Sequence, residues 1–235
     1  IADKARPMNI QIYLDGADLN AMESLGNKVQ GFTTNPALMR KAGVKDYKAF
    51  ALEALALGKP VSLEVIADDF DEMLTQAQTI ASWGPNVYVK IPITCTRGIS
   101  AIGLIQRLWR QNITVNVTAV MTDQQIDWIG NAHGFGRKPM IVSIFAGRIA
   151  DAGQDPEILF NYARFRYSNK NIKYLWASTR EIANIKQAEQ CADIITLPPD
   201  LLAKYQALKG KNLEEFSRET VKMFHDDALA AGFTL

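Results

Sequence analysis

Histidine and cysteine are both scarce in this sequence, with two of each among 235 residues. A zinc centre is usually held by several histidine or cysteine ligands, whereas His133 and His225 lie far apart in the chain. The two cysteines, Cys95 and Cys191, form no CxxC pair. That pattern is typical of a reduced protein in the cytoplasm rather than of a disulfide framework. We therefore expect no metal site and no other cofactor.

An excess of one charge is also missing, since 26 Lys and Arg residues stand against 25 Asp and Glu residues. Without a dense basic run, we expect no nucleic-acid partner. No apolar stretch approaches the roughly 18 residues that cross a bilayer, and no secretory signal pattern opens the chain. Residues 1–7 precede the first strand pattern and are expected to be a tag remnant or a disordered terminus, which leaves one domain over residues 8–235.

What the sequence does contain is a regular alternation of strand-like and helix-like segments. Short runs such as Ile10–Leu14 and Val61–Ile66 alternate with helical patterns, and the pattern between the second and third strands predicts one helix, Tyr47–Leu57. Eight such units with short connections predict an α/β fold, a single (β/α)8 TIM barrel. An open doubly wound sheet has the same alternation, but no GxGxxG turn follows the first strand. A last amphipathic helix, Leu213–Ala231, packs either on its own barrel or on a neighbouring copy.

One lysine interrupts an apolar strand pattern. Lys90 lies in the run from Asn86 to Ile93, which is rich in β-branched and aromatic residues and predicts a buried parallel strand. Burial disfavours the ammonium form, and the neutral amine is the nucleophile that forms Schiff bases with carbonyls. The alternative is a strand-end lysine whose ammonium reaches water. Lys90 alone does not decide between the two.

Polar side chains also mark the ends of seven consecutive predicted strands. Active sites of (β/α)8 barrels lie at the carboxyl ends of the strands. Buried polar groups are costly unless they are paired, so a shared pocket explains this set better than scattered capping residues. The set comprises Asp15, Thr33, Thr34, Asn35, Glu64, Lys90, Asn116, Thr118, Ser143, Arg148, Ser178 and Arg180.

Five short motifs at these strand ends resemble the transaldolase family, in the family's order and over essentially the whole of residues 8–235. The motifs are Gly31–Pro36, Val89–Pro92, Asn116–Thr118, Phe145–Arg148 and Ala177–Arg180, with Asp15 preceding them. The chain length is similar to that of the short transaldolases, a group that includes the fructose-6-phosphate aldolases. The resemblance implies metal-independent class I chemistry in carbohydrate metabolism, in the pentose phosphate pathway. A dihydroxyacetone unit is held covalently and moved between sugar phosphates.

The resemblance also implies a role for each matched position. The catalytic residues are Lys90, Asp15, Glu64 and Thr118. The substrate-binding residues are Thr33, Asn35, Asn116, Ser143, Phe145, Arg148, Ser178 and Arg180. In this scheme Lys90 forms the Schiff base and Asp15 exchanges the proton of the C4 hydroxyl. Glu64 acts with Thr118 and a water as the proton relay of imine formation. The arginines bind the distal phosphate, for which the planar guanidinium fork is suited.

Two of these positions separate transferases from lyases within the family. Transaldolases have glutamate and phenylalanine at the positions of Glu64 and Phe145, where fructose-6-phosphate aldolases have glutamine and tyrosine. This chain is therefore expected to transfer the dihydroxyacetone unit. The alternatives are a lyase that releases free dihydroxyacetone and a non-catalytic sugar-phosphate-binding barrel. Ile144 and Thr179 depart from residues that are common in the family, which leaves the sugar substrate open.

Two segments outside the predicted site, residues 134–138 and the last helix, also have an interpretation. Residues 134–138 faintly resemble a phosphate-binding loop but lack the GK[ST] ending and precede a strand, so we interpret them as an ordinary loop. The resemblance to short transaldolases implies a homo-oligomer, a pentamer or decamer in which the last helix contacts another subunit. From the sequence alone, both packings of that helix remain open.

Overall fold

The structure, a computed structural model, describes residues 10–133 and 139–234. Eight strands alternate with helices over these ranges. The strands are β1 (Gln11–Asp15), β2 (Gly31–Thr33), β3 (Val61–Glu64), β4 (Val87–Pro92), β5 (Val115–Val120), β6 (Met140–Ile144), β7 (Ile172–Trp176) and β8 (Ile194–Leu197). The helices are α1 (Leu19–Leu25), α2 (Pro36–Lys41), α3 (Tyr47–Ala56), α4 (Phe70–Ala81), α5 (Ile102–Arg110), α6 (Asp123–Ala132), α7 (Ala146–Asp151), α8 (Pro156–Tyr167), α9 (Ala183–Cys191), α10 (Pro199–Leu208) and α11 (Leu213–Ala231).

The strands form one closed parallel barrel in sequence order. Each strand pairs with the next, and β8 returns to β1 with Ile12 opposite Ile195. Closure leaves no unpaired sheet edge and brings all eight strand ends to one rim. The predicted (β/α)8 barrel is confirmed, and the open doubly wound sheet is excluded.

Two short helices escaped the sequence analysis. The first, α2, begins at Pro36 behind Asn35, whose side-chain Oδ1 accepts the Leu38 backbone N–H at 3.0 Å. The second, α7, follows β6 directly. Each is six residues long, which is too short for a 3.6-residue hydrophobic period to be distinguished from a loop. Both helices lie at the carboxyl rim of the barrel and begin immediately after predicted site residues.

Alternate residues of each strand separate two kinds of interior. Outward-facing residues such as Leu14, Phe32 and Ile91 are completely buried and pack against the helix layer. Inward-facing residues form a separate apolar cluster low in the barrel, which we call the floor. Its members are Tyr13, Ile141, Leu175, Ala177 and Ile194. Most of the floor lies beneath the polar residues, because Asp15, Ser143 and Thr196 each follow a floor residue by two positions.

A glycine makes room for the largest floor residue. A Cβ on Gly31 would lie 2.5 Å from the Tyr13 ring, closer than real side chains approach. Any side chain at this inward position would displace the ring from beneath the site. Burial raises the pKa of the Tyr13 phenol to about 12, so this part of the floor remains uncharged at neutral pH.

The terminal helix α11 has the predicted bounds but buries none of its residues. Its apolar side chains are exposed; they are Leu213, Phe216, Val221, Met223, Phe224 and Leu229. Packing of this helix on its own barrel, one of the two predicted arrangements, is therefore wrong. Within the described ranges, none of the helices is long and apolar enough to cross a membrane. The interpretations of residues 1–7 and 134–138 lie outside the described residues.

Candidate active site

A cavity of about 280 Å³ opens at the carboxyl rim of the barrel. Nine of the twelve predicted site residues line it: Asp15, Thr33, Asn35, Lys90, Ser143, Phe145, Arg148, Ser178 and Arg180. These side chains come from five different strands or the segments that follow them. The predicted shared pocket is therefore a feature of the fold.

Lys90 is enclosed in the barrel, with only 5% of its surface exposed. Its Nζ donates to the Thr34 carbonyl oxygen at 2.9 Å and lies 3.3 Å from Glu64 Oε2. Glu64 is opposite Lys90 in the pairing of β3 with β4. The amine therefore has a carboxylate within proton-transfer reach and lines the cavity. The alternative of a strand-end lysine that reaches water is wrong.

Asp15, the last residue of β1, is partly buried at the cavity wall. Its Oδ1 accepts the Thr33 hydroxyl at 2.7 Å. Burial raises the pKa of the Asp15 carboxyl above its ordinary value, although the Lys90 charge and the Thr33 hydrogen bond oppose this effect. A carboxyl with a raised pKa takes up and returns protons closer to neutral pH, as a general acid/base requires.

A residue that the sequence analysis missed, Thr196 on β8, joins this group. Its hydroxyl lies 2.6 Å from that of Thr33, and it lines the cavity while only 3% exposed. Thr179, also unpredicted as a site residue, donates to the Thr196 carbonyl oxygen at 2.7 Å. The available signal was a single polar residue within the apolar run Ile194–Leu197, at the one strand whose end had not been assigned a polar group.

Asn116 does not line the cavity but supports a residue that does. Ser143 donates its hydroxyl proton to Asn116 Oδ1 at 2.7 Å, and Asn116 Nδ2 donates to Ser62 Oγ at 3.0 Å. All three side chains are buried. Because Ser143 gives its only proton to Asn116, it faces the cavity as a hydrogen-bond acceptor. Ser62 is a second contributor that the sequence analysis missed.

Thr118 and Glu64 lie beside the cavity rather than in its lining. Thr118 stands opposite Pro92, two residues after Lys90 on β4, and its Oγ1 is buried without a hydrogen-bond partner among the described residues. Glu64 also borders a small apolar cleft between β3 and α4, where the Tyr47 hydroxyl donates to the Glu64 carbonyl oxygen at 2.7 Å. A buried hydroxyl without a partner is costly, and a bound water satisfies such a group.

Two arginines stand at the cavity mouth with different partners. Arg180 forms an ion pair with Asp151 in which both side chains are about half exposed. Arg148 has no carboxylate within salt-bridge distance in residues 10–133 and 139–234. Ser178 holds a left-handed backbone conformation with φ of 62°. The mouth therefore presents one guanidinium without a carboxylate partner and a second that already has one.

Gly147 permits helix α7 to touch the turn after β7 at the mouth. A Cβ at this position would lie 1.8 Å from the Ser178 carbonyl oxygen and 3.0 Å from Arg180 Nε. Helix α7, which holds Arg148, is thereby in contact with the turn that holds Ser178 and Arg180. Across the described part of the chain, no group of three or more His, Cys, Asp or Glu residues is arranged to hold a metal ion.

Comparison with known proteins agrees with this geometry. The chain matches the Transaldolase/Fructose-6-phosphate aldolase family over residues 12–234. It is similar to a "Probable transaldolase" of Dehalococcoides mccartyi, with 35% identity over 82% of this chain and 88% of that protein. A second "Probable transaldolase", from Streptococcus agalactiae, is 31% identical over 89% of this chain and 97% of that protein.

Solved structures of remote sequence have the same fold. A 2,3-dimethylmalate lyase of the PEP mutase/isocitrate lyase superfamily matches with a TM-score of 0.57 and 10% identity, over 91% of this chain and 84% of that one. An orotidine 5'-monophosphate decarboxylase from Sulfolobus solfataricus matches with a TM-score of 0.52 and 12% identity, over 81% and 88%. At such identities the likeness concerns the fold alone. The sequence matches, together with a buried lysine among polar strand ends, show that the chain belongs to the transaldolase/fructose-6-phosphate aldolase family.

Proposed function

We propose that this protein is a Schiff-base transaldolase that moves a dihydroxyacetone unit from a ketose phosphate to an aldose phosphate without a metal ion. The observation that carries the proposal is the position of Lys90. Its amine is buried in the barrel, 3.3 Å from the Glu64 carboxylate, and shares a cavity with Asp15. A nucleophile and two distinct proton-transfer groups thus meet where a ketose carbonyl fits.

Capture of the ketose requires the Lys90 amine in its neutral form. Glu64 is the nearest carboxylate and accepts the proton, after which the amine attacks the substrate carbonyl to form a carbinolamine. Loss of water from the carbinolamine needs a proton on the leaving hydroxyl. A water held between Glu64 and the buried Thr118 hydroxyl supplies it. This assignment gives the Thr118 hydroxyl the hydrogen-bond partner that it otherwise lacks among the described residues.

Cleavage of the bond between C3 and C4 needs a second base. Asp15 takes the proton from the C4 hydroxyl, the electron pair of the breaking bond moves into the iminium on Lys90, and an aldehyde leaves. The same carboxyl returns the proton once an acceptor aldehyde has added. The raised pKa of Asp15 suits this reversible exchange, because the two protonation states then differ less in free energy near neutral pH.

The remaining polar residues orient the dihydroxyacetone unit. Asn35 uses its Oδ1 to cap α2, so its NH2 group is the part that donates to a substrate oxygen. Ser143, whose proton is held by Asn116, accepts from a substrate hydroxyl. A donor and an acceptor on different strands fix the orientation of the imine better than either alone.

The distal phosphate binds at the mouth, with Arg148 as its first partner. Arg148 has no competing carboxylate within salt-bridge distance among the described residues, whereas Arg180 must exchange Asp151 for the phosphate. The backbone turn at Ser178 adds a hydroxyl to the same group. A guanidinium binds a phosphate through two parallel hydrogen bonds, which favours phosphorylated sugars over free ones.

Phe145 decides between transfer and release. The phenyl ring lines the cavity and has no proton to give to the enamine that remains on Lys90 after cleavage. The enamine therefore waits for an acceptor aldehyde, as in the transaldolases that this chain resembles at Glu64 and Phe145. Robust cleavage of fructose 6-phosphate without any acceptor would show that the protein is a lyase instead.

Borohydride trapping tests the covalent step directly. Incubation with fructose 6-phosphate and borohydride, followed by intact mass spectrometry and peptide mapping, should place one adduct on Lys90. Lys90→Met should abolish the adduct. Lys59→Met is the matched control, because Lys59 also donates to a buried backbone carbonyl, that of Val29, but does not line the cavity. Absence of an adduct in the wild type would favour a non-catalytic sugar-phosphate-binding barrel, and an equal adduct in Lys90→Met would refute the covalent role of Lys90.

We also propose that the protein is a cytoplasmic homo-oligomer. The resemblance to short transaldolases favours a pentamer or decamer, and α11 offers an exposed apolar surface for subunit contact. Both cysteines are free and buried, as suits a reducing compartment. Phe224→Glu places a charge on this surface and should shift the sedimentation profile toward smaller species. Ser217→Glu, at an exposed polar position on the same helix, is a control for the added charge alone.

A further inference from the structure

Three side chains from three strands form a hydrogen-bonded chain at the seam where the barrel closes. Thr33 Oγ1 lies 2.7 Å from Asp15 Oδ1 and 2.6 Å from Thr196 Oγ1. Thr33 is 2% exposed and Thr196 is 3% exposed, so bulk water does not compete for either hydroxyl. Both lengths are typical of good O–H···O hydrogen bonds.

The number of protons that these groups can donate determines which group is the donor in each hydrogen bond. An ionised carboxylate only accepts, and a threonine hydroxyl has one proton to donate. When Asp15 is ionised, the Thr33 proton is therefore committed to Asp15 Oδ1. The short contact between Thr33 and Thr196 can then be a hydrogen bond only if Thr196 is the donor. Thr196 thus donates to Thr33, and Thr33 donates to Asp15.

We propose that Thr196 is a positioning residue for the general base. By donating to Thr33, it keeps the Thr33 proton directed at Asp15 and holds the carboxylate, ionised, in the orientation that faces the substrate. This inference rests on the proposed function, since it assigns Asp15 the proton transfer at C4. It adds a residue on β8, a strand to which the catalytic scheme assigned no group.

The Thr196 hydroxyl affects the Asp15 carboxyl through Thr33, which lies between them. A hydroxyl that accepts a hydrogen bond becomes a stronger donor, so removal of the Thr196 hydroxyl weakens the bond from Thr33 to Asp15. The hydrogen bond from Thr33 favours the ionised form of Asp15. Its weakening should therefore raise the pKa of the Asp15 carboxyl further. Asp15 also faces Lys90 on β4, with Glu64 beside it, and Arg148 and Arg180 at the mouth.

None of those charged groups changes in a threonine variant. Thr196→Val preserves the side-chain shape and removes the hydroxyl, whereas Thr196→Ser retains the hydroxyl. Thr196→Ala replaces the valine variant if the latter does not fold. Each variant is first compared with the wild type by circular dichroism and thermal unfolding.

Two measurements then test the proposal. The first is kcat against pH for transfer from fructose 6-phosphate to a saturating aldose phosphate acceptor, followed through the glyceraldehyde 3-phosphate that cleavage between C3 and C4 releases. We expect the acid limb of Thr196→Val to move to higher pH by several tenths of a unit. The plateau kcat should fall severalfold, because the carboxylate is then held less firmly toward the substrate, while KM stays within about twofold of the wild type. Thr196→Ser should follow the wild-type profile.

The second measurement does not depend on turnover. The carboxyl carbon of Asp15 is titrated by NMR in protein labelled at aspartate, with Asp15→Asn used for assignment. The titration midpoint should rise in Thr196→Val and stay unchanged in Thr196→Ser. An unchanged midpoint in Thr196→Val, or an equal rise in both variants, would overturn the role of Thr196. A failed Lys90 adduct in the wild type would instead overturn the proposed function, whatever the midpoint does.

Discussion

The contact between helix α7 and the turn after β7 predicts a large effect from a small substitution, Gly147→Ala. The added Cβ would lie 1.8 Å from the Ser178 carbonyl oxygen, whereas real Cβ atoms essentially never come within 3.0 Å of a neighbour. The helix and the turn must therefore separate by at least 3.0 − 1.8 = 1.2 Å. The obstacle is backbone rather than a flexible side chain. Ser178 is already in the left-handed region, which leaves it few alternative conformations.

The energetic cost follows from overpacking of a close contact, about 1–3 kcal/mol. In a protein of this size, each kcal/mol lowers the Tm by about 2–4 °C, so a decrease of roughly 2–12 °C is expected. A displacement of about 1 Å at a binding loop costs up to 100-fold in reaction rate. Because Ser178 and Arg180 move with the loop, the loss should fall mainly on KM for a phosphorylated ketose and much less on that for its unphosphorylated analogue.

Thermal unfolding at fixed protein concentration and KM for the two ketoses are the assays. Gly103→Ala is the control, since a Cβ at that helical position meets nothing within 4 Å. It should leave KM unchanged and raise stability by a fraction of the roughly 1 kcal/mol that separates glycine from alanine in a helix. Wild-type Tm and KM in Gly147→Ala would refute the inference that the contact of α7 with the turn after β7 positions the phosphate-binding residues.

Three further substitutions have defined outcomes. Asp15→Asn should abolish cleavage but raise the Tm at pH 7. The pKa of Asp15 is raised in the fold, so the ionised carboxyl destabilises the protein above the ordinary value of 3.8. The gain should fade as pH drops toward 4, which unfolding scans over pH 4–8 would check. Asp151→Asn frees Arg180, so KM for the phosphorylated donor should fall severalfold. Stability should change by less than about 1 kcal/mol, because the pair is half exposed. Phe145→Tyr supplies a phenol near the enamine, so acceptor-free release of dihydroxyacetone should increase; an unchanged coupled assay would contradict this role.

Much of the barrel could be predicted from the sequence because its strands are buried on both faces and appear as short apolar runs. The helices that were missed, α2 and α7, are each a turn or two long and have no hydrophobic period. The packing partner of α11 could not be predicted for a different reason. An amphipathic pattern predicts that one face is apolar but not which surface covers it.

The candidate site was predictable where a charged or amide side chain interrupted an apolar strand, as at Lys90 and Asn116. Thr196 and Ser62 were missed because threonine is an ordinary strand residue and a single serine is a weak signal. Their contribution depends on partners 163 and 54 residues away in the chain, Thr33 and Asn116, and only barrel closure brings them together. Strand-end position also did not distinguish residues that line the cavity from those one layer behind it.

The apolar floor has a kinetic consequence. Tyr13, Ile141, Leu175 and Ile194 close the barrel beneath the cavity, so ligands enter and leave through the same mouth. The cavity of about 280 Å³ therefore gives a departing aldehyde and an incoming acceptor the same route. In the proposed transfer, we expect the first aldehyde to depart before the acceptor binds. Initial rates should then follow a substituted-enzyme rate law, with parallel lines in double-reciprocal plots.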